Sequence, residues 1–152
     1  MKVGGLRNDT ILTENHVIQA VVSRFKSLNY VIEQALQTNE KGIDIIARNL
    51  STNKRILVEA KGGTSASFST SRFGKPFNLS QVKTHVSSAF YYVVMLQQKY
   101  DLNDTQVAMA FPNDELHRKV VQKISNALVR LNIMVYFVND DLSVIEFTET
   151  IL

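Results

Sequence analysis

The sequence predicts an α/β domain in which a mixed β-sheet is flanked by helices. Two short apolar segments around a polar turn, residues 43–48 and 55–61, are typical of an antiparallel hairpin. Further along, apolar segments at 106–111 and 133–138 are separated by a helical segment, as in a parallel crossover. Helical apolar periodicity also recurs before, between and after these strands, so helices are available to cover the sheet.

Composition limits the size and class of the protein. The 152 residues are 45% apolar, which is enough for one hydrophobic core, so residues 1–152 are expected to form a single domain. The absence of cysteine excludes disulfides and thiolate chemistry and fits a cytoplasmic location. No apolar run approaches about 20 residues and the N-terminus has no apolar signal core, so neither a membrane span nor secretion is expected.

The first predicted helix covers residues 13–28, with Thr13 or Thr10 as its N-cap. Its apolar residues recur at spacings of three and four: Val17, Ile18, Val21, Val22, Phe25 and Leu28. Residues 30–36 predict a short strand. The strands Ile43–Arg48 and Arg55–Lys61, joined by the turn "NLSTNK", then complete an antiparallel meander.

The second half of the chain begins with a long loop, 62–78, rich in Gly, Ser and Thr. Loops of this length are uncommon in compact domains and are often functional. A second helix over 79–99 follows, with one apolar stripe: Val82, Val86, Ala89, Val93 and Leu96. A strand over 106–111 stops at Pro112.

Asn113 is the expected N-cap of a third helix, 114–131. Its predicted inward stripe is Leu116, Val120, Ile124, Ala127 and Leu131. The segment 133–138 is a strand, and "LSVIEF" is the candidate for a last one. The resulting order is α-β-β-β-α-β-α-β-β.

Three charged residues interrupt the apolar hairpin. Because side chains alternate along a strand, Glu59 and Lys61 share one face. A turn centred on residues 51–52 places Asp44 opposite Glu59, with Cβ atoms about 4.5–5.5 Å apart. The same register pairs Ile45 with Val58 and Ile43 with Ala60.

Two carboxylates so close together both stay ionised in a partly dry site only if a cation lies between them. Oxygen ligands without neighbouring Cys or His suit Mg²⁺ or Mn²⁺. Lys61 lies beside the predicted ion and can hold a water or stabilise charge on a phosphate. Glu14 continues the inward stripe of the first helix, and Gln81 opens the second helix, so both are candidates to join the site.

"GID" followed by "VEAK", with Asp44, Glu59, Ala60 and Lys61, resembles the motif of the PD-(D/E)xK nuclease superfamily. Within it the sequence is most similar to Holliday-junction-resolvase and Mrr-like members. Glu14, Gln81 and the order of elements add to the resemblance, whereas Ile43 stands where the motif name has Pro. The implied fold is α/β with a restriction-endonuclease-like mixed sheet flanked by helices.

The resemblance also implies an activity, a metal-dependent endonuclease that hydrolyses phosphodiester bonds in DNA. It implies Asp44, Glu59 and the Ala60 carbonyl as ligands of Mg²⁺ or Mn²⁺, and Lys61 as the catalytic lysine. Glu14 would be a further acidic ligand and Gln81 an accessory residue. The basic residues expected to contact neighbouring phosphates are Arg72, Lys75 and Lys83.

The same residues also fit other interpretations. The three hairpin charges can form a cross-strand ion pair on a solvated face. Glu14 can be a first-turn acid favoured by the helix dipole, and Gln81 an ordinary first-turn residue. His16, His85 and His117 show no metal-ligand spacing and are expected at the surface or half-buried. A solvated helix face is the expected setting of Arg118, Lys119 and Lys123.

The alternative function is a non-catalytic binding module on the same fold, such as an immunity or regulatory protein. The modest net charge of +3 favours it, since duplex binders are commonly more basic. A nuclease of this size has no second recognition domain. It must therefore recognise the shape of DNA, form a homodimer or take its specificity from a protein partner.

Overall fold

The computed structural model describes residues 11–37, 39–64 and 74–147, and its core is a six-stranded mixed sheet between two layers of helices. In chain order the elements are α1 (Glu14–Ser27), β1 (Tyr30–Ala35), β2 (Ile45–Asn49), β3 (Arg55–Ala60), α2 (Leu79–Lys99), β4 (Thr105–Pro112), α3 (Glu115–Gln122), α4 (Ser125–Arg130), β5 (Ile133–Val138) and β6 (Val144–Glu146). The predicted α/β class is confirmed. Among the described residues, no helix combines the length and apolar character needed to cross a membrane.

The strands lie in the sheet in the same order as in the chain. β1, β2 and β3 form an antiparallel meander, β3, β4 and β5 are parallel, and β6 returns antiparallel to β5. Both the predicted meander and the predicted crossover are therefore confirmed. Because β3 and β4 are parallel, their carboxyl ends lie at the same end of the sheet. The helices that follow them, α2 and α3, begin at this end.

Each face of the sheet has its own apolar core. Val17, Val21 and Phe25 of α1 pack against one face. The other face packs against α2, α3 and α4, and its core includes Phe111 and Phe137.

The predicted stripe of α2 is buried throughout, and Thr13 caps α1 by accepting a hydrogen bond from His16 N at 3.3 Å. Thr10, the other candidate cap, lies outside the described residues. Leu28 was predicted inward, but it follows the last residue of α1 and its surface is 49% exposed.

The register of the β2–β3 hairpin agrees with the prediction, since Ile45 pairs with Val58 and Arg48 with Arg55. The predicted extension of β2 back to Ile43 is wrong. Asp44 Oδ2 accepts a hydrogen bond from Ala60 N at 2.8 Å, the bond that the Ile43 carbonyl would accept in a continued ladder. The Ile43 carbonyl instead accepts a hydrogen bond from Gln34 Nε2 at 2.7 Å. The Asp44 side chain therefore accepts the hydrogen bond that would otherwise be the last backbone–backbone bond between β2 and β3.

The predicted third helix, 114–131, is in fact two helices that break at Lys123 and Ile124. The predicted inward stripe is also wrong in part, because Ala127 and Leu131 are exposed and Leu116, Val120 and Ile124 are only half-buried. The buried stripe lies one residue further along: His117, Val121, Ser125 and Leu128. It still has helical spacing, but two of its four members are polar, so hydrophobicity alone pointed to the neighbouring stripe.

Asn113 does not cap α3, because its backbone N–H donates to Val138 O at 2.7 Å and still belongs to the sheet. The cap is Asp114, which accepts from His117 N at 2.8 Å. The prediction that each histidine is exposed or half-buried holds for His16 and His85 but is wrong for His117, which is 1% exposed. Its Nδ1 lies 2.8 and 2.9 Å from the two carboxylate oxygens of Asp114, and the ring stacks on Phe111.

Candidate functional site

The candidate site lies at the carboxyl end of β3. Asp44 is 7% exposed, and its hydrogen bond to Ala60 N fixes its carboxyl group beside the last residue of that strand. In a strand, the N–H and C=O of one residue point to the same neighbour. The Ala60 carbonyl therefore points to the side on which Asp44 lies. The Asp44 carboxylate and the Ala60 carbonyl therefore lie on the same side of β3.

Glu59 and Lys61 extend from the same face of β3, as strand alternation predicted. Glu59 Oε2 lies 3.4 Å from Lys61 Nζ, and the two side chains are only 14% and 22% exposed. The charge of Asp44 raises the pKa of Glu59, so the two carboxyl groups lie close to each other. These burials argue against the alternative of an ion pair on a solvated face.

Glu14 reaches the site because the first turn of α1 packs directly on the chain that leaves β3. A Cβ atom at Gly62 would lie 2.4 Å from Glu14 N and 2.6 Å from the carbonyl carbon of Thr13. Gly63 N also donates a hydrogen bond to Leu12 O at 2.7 Å. The glycine that follows "EAK" therefore admits the amino end of α1 and brings Glu14 near Asp44 and Lys61.

All three acids have raised pKa values. Burial raises the pKa of Glu59 to about 8, and the charge of Asp44 adds to the rise while Lys61 opposes it. Burial and then the charge of Asp44 raise the pKa of Glu14 to about 7. Burial also raises the pKa of Asp44, although the Ala60 N–H, Glu59 and Lys61 counteract it. The positive charge of one lysine does not balance the buried acids, so the site holds protons unless another cation replaces them.

The paired acids fit a hard divalent cation in their chemistry. Asp44, Glu59 and the Ala60 carbonyl supply oxygen only, as Mg²⁺ and Mn²⁺ prefer. Glu14 interacts with them through its charge and is a less direct candidate. Within the described residues, no group of three His, Cys, Asp or Glu side chains is close enough to hold a metal ion. The carboxylate pair is thus the core of the candidate metal site.

Comparisons with protein-family models, with curated proteins and with solved structures found no match for this chain.

Gln81 opens α2 close to this end of the sheet, but its side chain is engaged in capping that helix. Gln81 Oε1 accepts from Asn78 N at 2.9 Å, and Asn78 Oδ1 accepts from Gln81 N at 2.9 Å. This reciprocal capping box is a sufficient structural reason for a glutamine at this position.

Two residues of α2 that the motif did not include also lie near the site, His85 near Lys61 and Tyr92 near Glu59 and Asp44. His85 lies one turn after Gln81 and packs edge-on against Phe77, with ring centroids 4.5 Å apart. Burial lowers the pKa of His85, and the charges of Lys61 and His117 lower it further. Burial raises the pKa of Tyr92, with contributions from Glu59 and Asp44. Spacings of four and seven residues from Gln81 to His85 to Tyr92 mark one helix face, a signal that was present in the sequence.

Two of the three predicted phosphate-binding residues lie in the part of the chain that the structure describes. Arg72 lies outside the described residues. Lys75 is exposed in the segment before α2. Lys83 is exposed on α2 and lies beside a groove that α2 forms with α3 and α4. Of the three, Lys75 and Lys83 are therefore free to contact a polyanion at the surface.

Proposed function

We propose that this protein is a metal-dependent endonuclease of the PD-(D/E)xK type that hydrolyses phosphodiester bonds in DNA. The observation that carries the proposal is the buried carboxylate pair of Asp44 and Glu59 beside Lys61. Buried acids with raised pKa values next to a lysine are typical of functional sites rather than of stabilising ion pairs. The antiparallel-to-parallel sheet is compatible with the restriction-endonuclease-like fold that the motif implies.

Asp44, Glu59 and the Ala60 carbonyl would hold Mg²⁺ or Mn²⁺, which when bound would acidify a water and offset charge on a phosphate. Lys61 would position the attacking water or stabilise the developing phosphate charge. Glu14 would adjust the charge of the site from α1. Lys75, exposed in the segment before α2, would bind a phosphate next to the one that is cleaved.

The first experiment is Mn²⁺ titration by calorimetry on the wild type, Asp44→Asn and Glu59→Gln, with Asp140→Asn as a matched control at an exposed acid. The wild type and the control are expected to bind Mn²⁺, and the two site variants to lose binding. If the wild type does not bind at millimolar Mn²⁺, even with DNA present, the buried charges are structural and the proposal fails.

The second experiment separates metal binding from catalysis. Lys61→Met keeps most of the side-chain volume and removes the charge. This variant is expected to retain Mn²⁺ binding and to cleave DNA about 100-fold or more slowly than the wild type. Linear, flapped and four-way DNA substrates would define which shape is cleaved. Metal binding without cleavage of any of these substrates, or of RNA, would favour the non-catalytic binding module instead.

A further inference from the structure

An apolar groove runs along the outer side of α2 where this helix meets α3 and α4. It has a volume of about 330 Å³. Val86 and Phe90 of α2 form one wall, and Val120 and Ile124 of the α3–α4 segment form the other. Phe90, Val120 and Ile124 are only half-buried, so their apolar surface remains accessible to a partner. This size is within the range of cavities that bind ligands or anchoring side chains.

The groove is bordered by positive charge on both sides. Lys83 lies on the α2 side, and Lys119 and Lys123 lie on the opposite side. All three are exposed, and among the described residues that line the groove none is acidic. A complementary partner must therefore be apolar along its centre and negative along both edges.

The groove also has the shape of a helix-binding site. Its α2 wall extends from Leu79 to Phe90 with residues three and four apart, which is about 16 Å at the rise of an α-helix. Two helices side by side leave a furrow in which the apolar stripe of a third helix can lie. Such a helix would insert apolar anchors at positions i, i+3 or i+4, and i+7.

We propose that this groove binds an acidic amphipathic helix of a partner protein. A nucleic-acid backbone would pair with the three lysines but would leave the accessible apolar surface of Phe90, Val120 and Ile124 exposed to water. A neutral apolar partner would carry no negative charge to pair with the three lysines. An amphipathic acidic helix satisfies both features at once. The proposal does not depend on the endonuclease activity, because Asp44, Glu59 and Lys61 do not line the groove.

The test uses a synthetic helical peptide of about 18 residues with leucines at i, i+3, i+4 and i+7 and glutamates on both flanks. Its twin carries lysine in place of every glutamate. Binding to the full chain would be followed by NMR. The acidic peptide is expected to shift the methyl and aromatic signals of the groove walls, which are formed by Val86, Phe90, Val120 and Ile124. The basic twin is expected to leave these signals unchanged.

Lys119→Glu combined with Lys123→Glu tests the role of charge. This variant is expected to bind the acidic peptide about tenfold or more weakly, because attraction becomes repulsion. Lys26→Glu combined with Lys54→Glu changes the net charge equally at exposed positions that do not line the groove, and should bind like the wild type.

Three results would overturn the proposal. The two peptides could bind equally, or the shifted signals could lie outside the groove. Alternatively, duplex DNA could displace the peptide while the Lys119→Glu/Lys123→Glu variant loses affinity for DNA, which would make the lysines part of a nucleic-acid surface. None of these results bears on Mn²⁺ binding at Asp44 and Glu59, so the two proposals fail separately.

Discussion

Asp44 has two separable roles at the scale of the single residue. Its carboxyl group accepts the Ala60 N–H bond that would otherwise extend the hairpin, and it also forms half of the acidic pair. Removing the side chain would leave a buried N–H without a partner, which costs about 1–3 kcal/mol. Asp44→Asn can keep the hydrogen bond and lose the charge, and for this reason it is the better variant for testing metal binding.

The raised pKa values of Glu14 and Glu59 make the stability of the metal-free protein depend on pH. Both groups start from 4.5 and reach about 7 and about 8 in the folded chain, so between these values the folded state binds more protons than the unfolded state. Their stabilising contribution is complete below about pH 4.5 and is lost as the pH rises to about 8. We expect urea-unfolding midpoints, measured with EDTA, to fall over this range.

Glu59→Gln provides the check, because a neutral amide does not titrate. The urea-unfolding midpoint of this variant is expected to depend less on pH than that of the wild type. Glu33→Gln, at an exposed acid of β1, is expected to show the same pH dependence as the wild type above pH 5. A wild-type midpoint that rises steadily from pH 5 to pH 8 would contradict the assignment of buried, protonated acids.

The residues of the hairpin could be predicted because a strand has a strict period of two and a short turn fixes the register. These two facts placed Glu59 and Lys61 on one face and Asp44 opposite. Sequence reasoning could not show that Asp44 leaves the ladder, since this depends on Gln34 accommodating the freed carbonyl of Ile43. That contact joins Gln34 of β1 to a residue that precedes β2, and no local sequence pattern marks it.

At the scale of the element, the amino end of α1 is fixed by the absence of a side chain at residue 62. Gly62→Ala would place a methyl group 2.4 Å from Glu14 N, and backbone cannot yield as a side chain does. We expect a loss of about 1–3 kcal/mol in the free energy of unfolding, measured by urea denaturation. A shift of α1 would also move Glu14 and weaken Mn²⁺ affinity.

Gly63→Ala is the matched control. Its nearest contact would be 3.2 Å from Ile11 Cγ2, a side-chain atom that can move. The loss of stability is expected to be clearly smaller than for Gly62→Ala. Equal losses at the two glycines would mean that the contact between α1 and the end of β3 is not the limiting one.

Helix periodicity was a reliable guide for α2 and an unreliable one for α3 and α4. The buried stripe of α2 is entirely apolar, so hydrophobicity identifies it. In α3 and α4 the buried positions include His117 and Ser125, and the neighbouring positions Leu116, Val120 and Ile124 are more hydrophobic but form a groove wall. A partner-binding face and a core face therefore look alike in the sequence of a short amphipathic helix.

At the scale of the whole molecule, one sheet supports two cores. Phe25 lies in the core under α1, and Phe137 lies in the core under α2, α3 and α4, both almost fully buried. Because the same strands form the floor of both cores, we expect the layers to unfold together. Phe25→Ala and Phe137→Ala should each cost about 3–5 kcal/mol.

The measurement is chemical denaturation followed by two signals, far-UV circular dichroism and tyrosine fluorescence. Coincident single transitions are expected for the wild type and for both variants. A variant in which one signal changes well before the other would show that the layer it weakens unfolds by itself.

The parallel pairing of β3 with β4 has a consequence for how the chain reaches its folded state. Arg55 pairs with Thr105, about 50 residues later, and no turn can bring these two strands together. The chain must lose the entropy of closing this long loop before the contacts between β3 and β4 can offset that loss. Proteins with such topology therefore fold more slowly than helical bundles. Glu59 and Lys61 lie in β3 and at its end, and Lys61 N is anchored to Ala110 O of β4. The acidic pair therefore acquires its final environment only in a late step, and a fragment that ends before β4 would carry every residue of the motif without its site.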